Sequence, residues 1–425
     1  LVQVSPPDAH GYCSLGISVD ITLSGMKSAQ ITIAQVNPQM PRTWGDSLVH
    51  IDDIDYLVEY EEELLESLPK TKNKTVVERI GHYVSQLVDD GATLQIGFGH
   101  LPHAIMPYLA GKKDLGIHTQ VITDALLPLF KQKVITNRKK NFLPERAVAS
   151  LCMGSKELYN YIADNPMFYF RSSEFVNDPN VIAKNDNLIS ISSALEVDLT
   201  GQVCTDSKGY LFYSGIGDQV DFIRGSAMSK GGFSIVIIPS TAQNGQVSRI
   251  VTHLSEGAGV ATTRGDIDLV VTEYGIAEIR RKSIFQRVME LAQIAHPKFR
   301  KQLIEQAKQN HYIFSDQLPP TNQDLLFLNA YRYNMLLSGG KQLQVRPLQP
   351  SDEFESRNFY YSLQEDSIYF RFFNRRKVFS RRMLQQMWAQ VDYSRNMTLI
   401  ALMQQGKRKQ IVAVASYAEV DAKSA

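Results

Sequence analysis

The chain has 425 residues, of which 44% are hydrophobic and 21% are charged, as is ordinary for a globular protein with buried cores. This composition excludes general disorder, and the length predicts two to four domains at about 100 to 200 residues per domain. The formal net charge of +1 offers no overall attraction for nucleic acid or for a membrane surface. The sequence also lacks a long apolar run and a signal-peptide pattern at its start, so we expect no membrane partner.

Cysteine usage predicts a reducing compartment. The three cysteines, Cys13, Cys152 and Cys204, are widely spaced and form no C-x-x-C motif. Neither a disulfide framework nor a structural zinc site is expected from an odd count at such spacing. We therefore expect a cytoplasmic protein without a metal. The chain begins in a predicted strand at Leu1 and ends just after another, which suggests a fragment of a longer protein.

Predicted strands and helices alternate along the chain, which indicates an α/β fold. The capping box Thr75-Val-Val-Glu78 predicts a helix start. A strand at 93–96, a glycine turn and a helix from about Pro102 follow. Further strands are predicted at residues 181–192, 203–204, 234–238 and 269–272, helices at 283–295 and 297–309, and, after residue 342, a strand at 343–348, helical stretches to about 390, and strands at 397–403 and 410–416.

Two glycine-rich turns are candidates for binding an anionic or thioester ligand. Gly97 and Gly99 lie between a strand and a helix, where backbone N–H groups can approach an anion. Gly215 and Gly217 lie in a loop whose amides could stabilise an oxyanion. The alternatives are a tight turn for the first and a surface loop for the second.

Glu273 follows a predicted buried strand, in the position where α/β folds place ligands. The alternative is that its carboxylate caps the following helix.

Several motifs occur together and in order over residues 1–310. They are Gly116-Ile-His-Thr119, Asn177-Asp-Pro179, Leu195-Glu-Val-Asp-Leu-Thr-Gly-Gln202, Ser214-Gly-Ile-Gly217, Gln219-Val-Asp-Phe222, Val271-Thr-Glu-Tyr-Gly275 and Ala295-His-Pro297. With these motifs the chain resembles the acetyl-CoA hydrolase/transferase family, which includes the 4-hydroxybutyrate and succinyl-CoA:acetate CoA-transferases.

The resemblance implies two similar open α/β domains of the CoA-transferase type, with acyl-CoA bound between them. Residues 1–60 would be the C-terminal part of a truncated N-terminal domain, and residues 75–312 the C-terminal domain, with linkers at 61–74 and 313–341. The implied partners are coenzyme A or acyl-CoA as substrate and small carboxylic acids, in a protein that we expect to self-associate. The resemblance also places Gly97, Gly99, Gly215, Gly217, Gln219 and Glu273 at the CoA site.

The family mechanism is covalent: a glutamate attacks the acyl-CoA thioester, and CoA thiolate then returns to give a glutamyl-CoA thioester. Gln120 occupies the position of that nucleophile, and a neutral amide cannot form the same anhydride. The oxyanion loop also differs, because Asp218 follows Gly217 where the family has glycine. A carboxylate pointing inward there would oppose oxyanion stabilisation.

Three interpretations of these departures are open. In the first, the chain binds acyl-CoA without transferring it, as a module that regulates or feeds an attached acetyltransferase. In the second, Glu196 or Glu273 substitutes as nucleophile, which requires a reactive distance of about 3–3.5 Å. In the third, His118 activates water for hydrolysis; the alternative for this histidine is a packed structural residue.

Residues 342–425 resemble a different family. Val345-Arg-Pro-Leu-Gln-Pro-Ser-Asp352 and Arg371-Phe-Phe373 are similar to the start of a GNAT N-acetyltransferase domain. The resemblance implies a partial α+β domain, without the later glycine-rich acetyl-CoA motif.

Overall fold

The computed structural model describes residues 1–67, 74–320, 331–338, 340–374, 378–389, 396–405 and 408–418. These residues form two compact units. The first contains Leu1–Leu195, Val203–Ile238 and Ser255–Val271, and the second contains Glu196–Gln202, Pro239–Leu254 and Thr272–Ala425.

A parallel sheet, here called the central sheet, organises the first unit. It has six strands, which in spatial order are Gly275–Glu278, Leu269–Thr272, Phe233–Ile237, Leu188–Ser193, Thr93–Ile96 and Gly116–Ile117; the last four lie wholly in the first unit. Most of their residues are buried, as expected for a parallel sheet covered on both faces. The sequence predicted strands Leu269–Thr272 and Thr93–Ile96 with their observed bounds.

The remaining elements of the first unit surround the central sheet. Its other strands are Val2–Val4, Tyr12–Ser14, Ile33–Val36, Trp44–Gly45, Leu48–His50, Tyr56–Glu59, Val121–Ile122, Ala147–Ala149, Leu151–Cys152, Phe168–Phe170, Val203–Cys204, Ser207–Lys208 and Leu211–Phe212. Its α-helices are Thr22–Ser28, Lys74–Leu87, His100–Ala104, Leu127–Lys131, Lys156–Ile162, Ser173–Val176, Pro179–Ile182 and Gln219–Met228.

One predicted strand, over residues 181–192, was wrong in its first half. The segment begins as the short helix Pro179–Ile182, and the strand starts only at Leu188. Asp178 caps that helix by accepting from Asn180 N–H, and proline at its first position suits a helix start. The apolar residues that suggested a strand, Val181 and Ile182, are the buried residues of this helix.

The described part of the predicted linker at 61–74 lies bound along the first unit. Tyr159 donates its hydroxyl to Leu65 O at 2.9 Å, and Ser67 N–H donates to Gly154 O at 3.1 Å. Residues 68–73 lie outside the described residues, as do 321–330 and 339 of the second predicted linker. The domain boundaries themselves stay predictions.

The second unit combines helices with small sheets. Its helices are Ile284–Ile294, Pro297–Gln309, Glu353–Ser362, Glu365–Phe372 and Arg381–Ala389, and its strands are Glu196–Asp198, Thr241–Ala242, Val247–Ser248, Ile250–Val251, Gly275–Glu278, Tyr333–Leu336, Gln342–Pro347, Asn396–Gln405 and Arg408–Ala418. The last four strands form an antiparallel sheet in chain order.

The prediction of a mixed α/β fold is thus confirmed. None of the helices in the described part of the chain is long and apolar enough to cross a membrane.

Candidate active site

The carboxyl edge of the central sheet gathers several of the residues singled out from the sequence. Gly97 follows one strand, Ser192 and Ser193 end the neighbouring strand, and Thr119 and Gln120 follow the edge strand. Because parallel strands end at the same side of a sheet, this edge is where open α/β folds bind ligands. All of these residues belong to the first unit.

The Gly97–Gly99 turn approaches the neighbouring strand closely. Gly97 N–H donates to Ile191 O at 2.7 Å, and an added Cβ on Gly97 would lie 3.1 Å from that same oxygen. Gly99 has φ = 141°, a conformation that favours glycine, and immediately precedes the short helix His100–Ala104. Both glycines are therefore required by the geometry of the turn. The turn exposes Phe98, whose side chain is 57% accessible.

The loop at Ser214–Asp218 is open to solvent up to its last residue. An added Cβ on Gly215 or Gly217 would meet no atom within 4 Å, and Gly217 has φ = 70°. Gln219, by contrast, is buried at the start of helix Gln219–Met228. Its side-chain amide donates to Ser192 Oγ at 3.0 Å, which fastens the end of the loop to the strand beside Gly97.

Residue 120 is held on both sides by backbone contacts. The hydroxyl of Thr119 donates to Ile96 O at 3.1 Å and accepts from Ile96 N–H at 3.3 Å, so Gln120 lies beside the end of the strand that leads to Gly97. Gln120 O accepts from Ser150 N–H and from Leu151 N–H, each at 3.0 Å. Its side chain is partly buried, and its neutral amide stands at this edge of the sheet.

Asp218 places a titratable carboxyl at the end of the open loop. Burial, with a smaller contribution from the charge of Asp221, raises the pKa of Asp218 from 3.8 to about 6. The group is therefore mainly ionised at neutral pH, in the loop that the sequence assigned to oxyanion stabilisation.

The structure contradicts one alternative from the sequence: His118 cannot serve as a base for water. Its ring is fully buried, with Nε2 2.9 Å from Val176 O and Nδ1 3.4 Å from Asn185 Nδ2. The ring also contacts Phe222 edge-on at 6.2 Å between centroids. Burial lowers the pKa of His118 to about 3, so it stays neutral inside the core.

The two carboxylates considered as substitutes, Glu196 and Glu273, belong to the second unit. Both oxygens of Glu273 are engaged, one by Ser240 N–H at 2.8 Å and the other by Ser240 Oγ at 2.6 Å. Glu196 and Glu273 are also close enough to Arg249 to interact with its charge. These contacts indicate a structural role for Glu273, while its contribution to CoA binding stays a prediction.

Sequence reasoning missed the residues that support the site from beneath. Ser192 was read only as part of a strand, although its polar side chain at the carboxyl end of a buried strand was a usable signal. Asn137 and Lys140 were not singled out, because they lie in a polar stretch, Asn137-Arg-Lys-Lys140, that has the composition of a surface loop. The structure buries both side chains against the strand that leads to Gln120.

Comparison with known proteins defines the class of the chain. Residues 1–69 match the acetyl-CoA hydrolase/transferase N-terminal domain, and residues 154–307 match the corresponding C-terminal domain. The chain belongs to the acetyl-CoA hydrolase/transferase family, as the sequence motifs predicted. Neither matched range extends beyond residue 307.

Individual relatives are CoA-transferases. The chain is 49% identical over 308 residues to 4-hydroxybutyrate coenzyme A transferase of Clostridium kluyveri, covering 72% of each chain. It is 43% identical over 310 residues to succinyl-CoA:cyclohexane-1-carboxylate CoA transferase of Geobacter metallireducens, covering 73% of this chain and 71% of the relative. RipA from Yersinia pestis is similar in structure, with a TM-score of 0.70, 39% identity, and coverage of 73% of this chain and 70% of RipA.

Proposed function

We propose that the chain acts on acyl-CoA thioesters, either transferring CoA between short carboxylic acids or hydrolysing acetyl-CoA. One observation carries the proposal: Gly97, residue 120 and the Gly215–Gln219 loop are all anchored at the same carboxyl edge of the central sheet. An exposed glycine loop can bring backbone N–H groups to a thioester oxygen, and residue 120 stands on the neighbouring strand end.

In this proposal the acyl-CoA and a small carboxylic acid are the substrates, and pocket shape selects the acyl group. Gly97, Gly99, Gly215, Gly217 and Gln219 would contribute to CoA binding. Residue 120 would stand beside the thioester carbonyl.

An exchange assay separates transfer from hydrolysis. The protein is incubated with acetyl-CoA and labelled acetate. Appearance of label in acetyl-CoA indicates transfer, and release of free CoA thiol without label exchange indicates hydrolysis. Neither reaction, together with stabilisation by CoA, would reject turnover and leave binding. No reaction and no stabilisation would reject the proposal altogether, because a ligand that binds only the folded state must raise its stability.

A second candidate function is favoured by Gln120 and Asp218. An amide at the nucleophile position and an added carboxylate in the oxyanion loop both weaken transfer without removing the binding scaffold. The chain would then be an acyl-CoA-binding module that regulates or feeds an attached acetyltransferase. The resemblance of residues 342–425 to a GNAT domain, and the three antiparallel strands Gln342–Pro347, Asn396–Gln405 and Arg408–Ala418 in this range, support this candidate.

We also propose that the protein works in the cytoplasm as a homo-oligomer. Cys13, Cys152 and Cys204 are free and buried, as suits a reducing compartment. Size-exclusion chromatography with light scattering tests the oligomeric state, and a monomer at micromolar concentration would contradict this part of the proposal.

A further inference from the structure

Lys140 is a buried lysine whose charge is not paired with a carboxylate. Its side chain is 4% exposed, and its Nζ donates to Ile117 O at 2.8 Å and to Arg146 O at 2.7 Å. Among the described residues, no carboxylate oxygen lies within 4.0 Å of Nζ. Burial of an ammonium group without a counter-charge is unfavourable, so an apolar side chain would serve stability better.

Asn137, in the same loop as Lys140, also contacts the backbone of Ile117. It is fully buried, has φ = 58°, and accepts from Ile117 N–H through Oδ1 at 2.8 Å. Its left-handed backbone conformation is one that asparagine tolerates better than most residues. Side chains from one loop therefore satisfy both backbone groups of Ile117.

The position of Ile117 explains why both groups need partners. Gly116 and His118 donate their N–H groups to Ala92 O at 2.9 Å and to Leu94 O at 3.0 Å, within the central sheet. Because backbone groups alternate in direction along a strand, those of Ile117 point away from the sheet. Asn137 and Lys140 thus stand where a further strand would pair.

The second bond of Lys140 ties this edge strand to the next layer. Arg146 directly precedes strand Ala147–Ala149, in which Val148 O accepts from Thr119 N–H at 3.0 Å. The space for the lysine depends on Gly116, since a Cβ there would lie 2.5 Å from Lys140 Cγ. The lysine therefore links the segment that ends at residue 120 to the residue that precedes strand Ala147–Ala149.

We propose that Asn137 and Lys140 form a side-chain clamp that sets the position of residue 120 at the candidate site. They are positioning residues, since they act through the backbone of Ile117 and touch no substrate in this arrangement. The clamp rests on the proposed function only in assigning residue 120 to the reacting position. A neutral lysine amine retains two hydrogens, so both carbonyl bonds can persist when Lys140 loses its charge.

Hydrogen exchange tests the clamp without requiring turnover. Lys140→Met keeps the aliphatic volume, and Asn137→Gly keeps the backbone conformation while removing the acceptor. Asn137→Gly should raise amide exchange across Ile117–Gln120 by about 2- to 13-fold, the factor expected from losing one hydrogen bond. Lys140→Met, which also removes the buried charge, is used for the kinetic measurement. Exchange in strand Leu188–Ser193 should stay unchanged, and the matched control Lys139→Met, at the exposed neighbouring residue, should change neither region.

A kinetic readout separates positioning from a merely structural role. In a Gln120→Glu background, adding Lys140→Met should lower kcat on the order of 10- to 100-fold with KM for acyl-CoA unchanged, because small displacements of a reacting group cost rate. The clamp is overturned if Lys140→Met leaves kcat unchanged in an active Gln120→Glu protein. It is also overturned if hydrogen exchange rises equally in Ile117–Gln120 and in strand Leu188–Ser193. If Gln120→Glu is itself inactive, the assignment of residue 120 to the reacting position fails, and the hydrogen-exchange experiment still decides the clamp. If Lys140→Met does not fold, Asn137→Gly carries both measurements.

Discussion

The two chemical positions of the candidate site differ in how they are held. The segment that ends at Gln120 is bonded to backbone on both sides, and Lys140 and Asn137 support it from beneath. The loop at Ser214–Asp218 is exposed and has free space around Gly215 and Gly217. Backbone hydrogen bonds therefore fix the position of residue 120, whereas the loop has open space in which a ligand could contact its backbone.

In our proposal the two positions also depart from the family pattern in opposite electrostatic directions. Gln120 would replace a negatively charged residue in the segment that ends there, and Asp218 would add a negative charge to the exposed loop. A substitution at residue 120 therefore changes the side-chain functional group while the backbone stays held by its hydrogen bonds. A change at residue 218 alters the charge at the end of an exposed loop.

The largest expected effect on stability comes from Lys140, beneath the rigid segment. Burial lowers the pKa of Lys140 from 10.5 to about 7, so the unfolded chain binds more protons than the folded one between these values. The resulting cost is fully present below pH 7 and is lost as pH rises toward 10.5. We expect Lys140→Met to be more stable than the parent by about 3–5 kcal/mol below pH 7, less any lost hydrogen bonding. The advantage should shrink toward pH 10.

Urea unfolding across pH 6 to 10 measures this difference, with Lys139→Met as the exposed control. A stability gap between Lys140→Met and the parent that does not vary with pH would contradict the assignment of Lys140 as a buried, unpaired cation.

A smaller effect is expected from adding one methyl group to each glycine turn. Gly97→Ala should destabilise the fold by about 1–3 kcal/mol, because its Cβ would press on the backbone of Ile191 and Ser192. Gly215→Ala should change the free energy of unfolding by less than about 0.5 kcal/mol, since nothing lies within 4 Å. Denaturant unfolding checks both variants. An equal loss in the free energy of unfolding for both variants would contradict the contrast between the close-packed Gly97 turn and the open loop at Gly215.

A smaller effect than that of Gly97→Ala is expected from the pH dependence of Asp218. Its pKa is raised from 3.8 to about 6, so the folded state binds more protons in this range and loses stability as pH rises through it. Asp218→Asn should therefore gain about 1–2 kcal/mol on the parent between pH 4 and pH 7, after allowance for solvent screening. A stability difference between Asp218→Asn and the parent that stays constant from pH 4 to pH 7 would instead place the Asp218 carboxyl in water.

Local sequence signals predicted much of the scaffold. Strand Thr93–Ile96 and helix Pro297–Gln309 were predicted with their observed bounds, because buried runs and a proline at a helix start are local features. The helix predicted at 283–295 is observed as Ile284–Ile294, with Ser283 and Gln286 forming its capping box. The family motifs also directed attention to Gln120 and Asp218.

What the sequence did not predict depends on contacts between distant segments. Lys140 lies among charged residues and reads as exposed, and only its long-range bonds to Ile117 and Arg146 explain its burial. His118 was considered as a base because its type is catalytic, but Val176 and Asn185 hold it in the core. Burial of polar groups follows from tertiary structure, which periodicity does not report.

The central claim is that residue 120 stands at the reacting position of an intact acyl-CoA site, and Gln120→Glu tests it most directly. With acetyl-CoA and labelled acetate, we predict that this variant raises label exchange on the order of 10³-fold over the parent. Mass spectrometry should find a CoA thioester on the peptide that contains residue 120, and Gln132→Glu, an exposed control, should match the parent. A Gln120→Glu variant that is stabilised by CoA, yet shows neither exchange nor adduct, would contradict the claim.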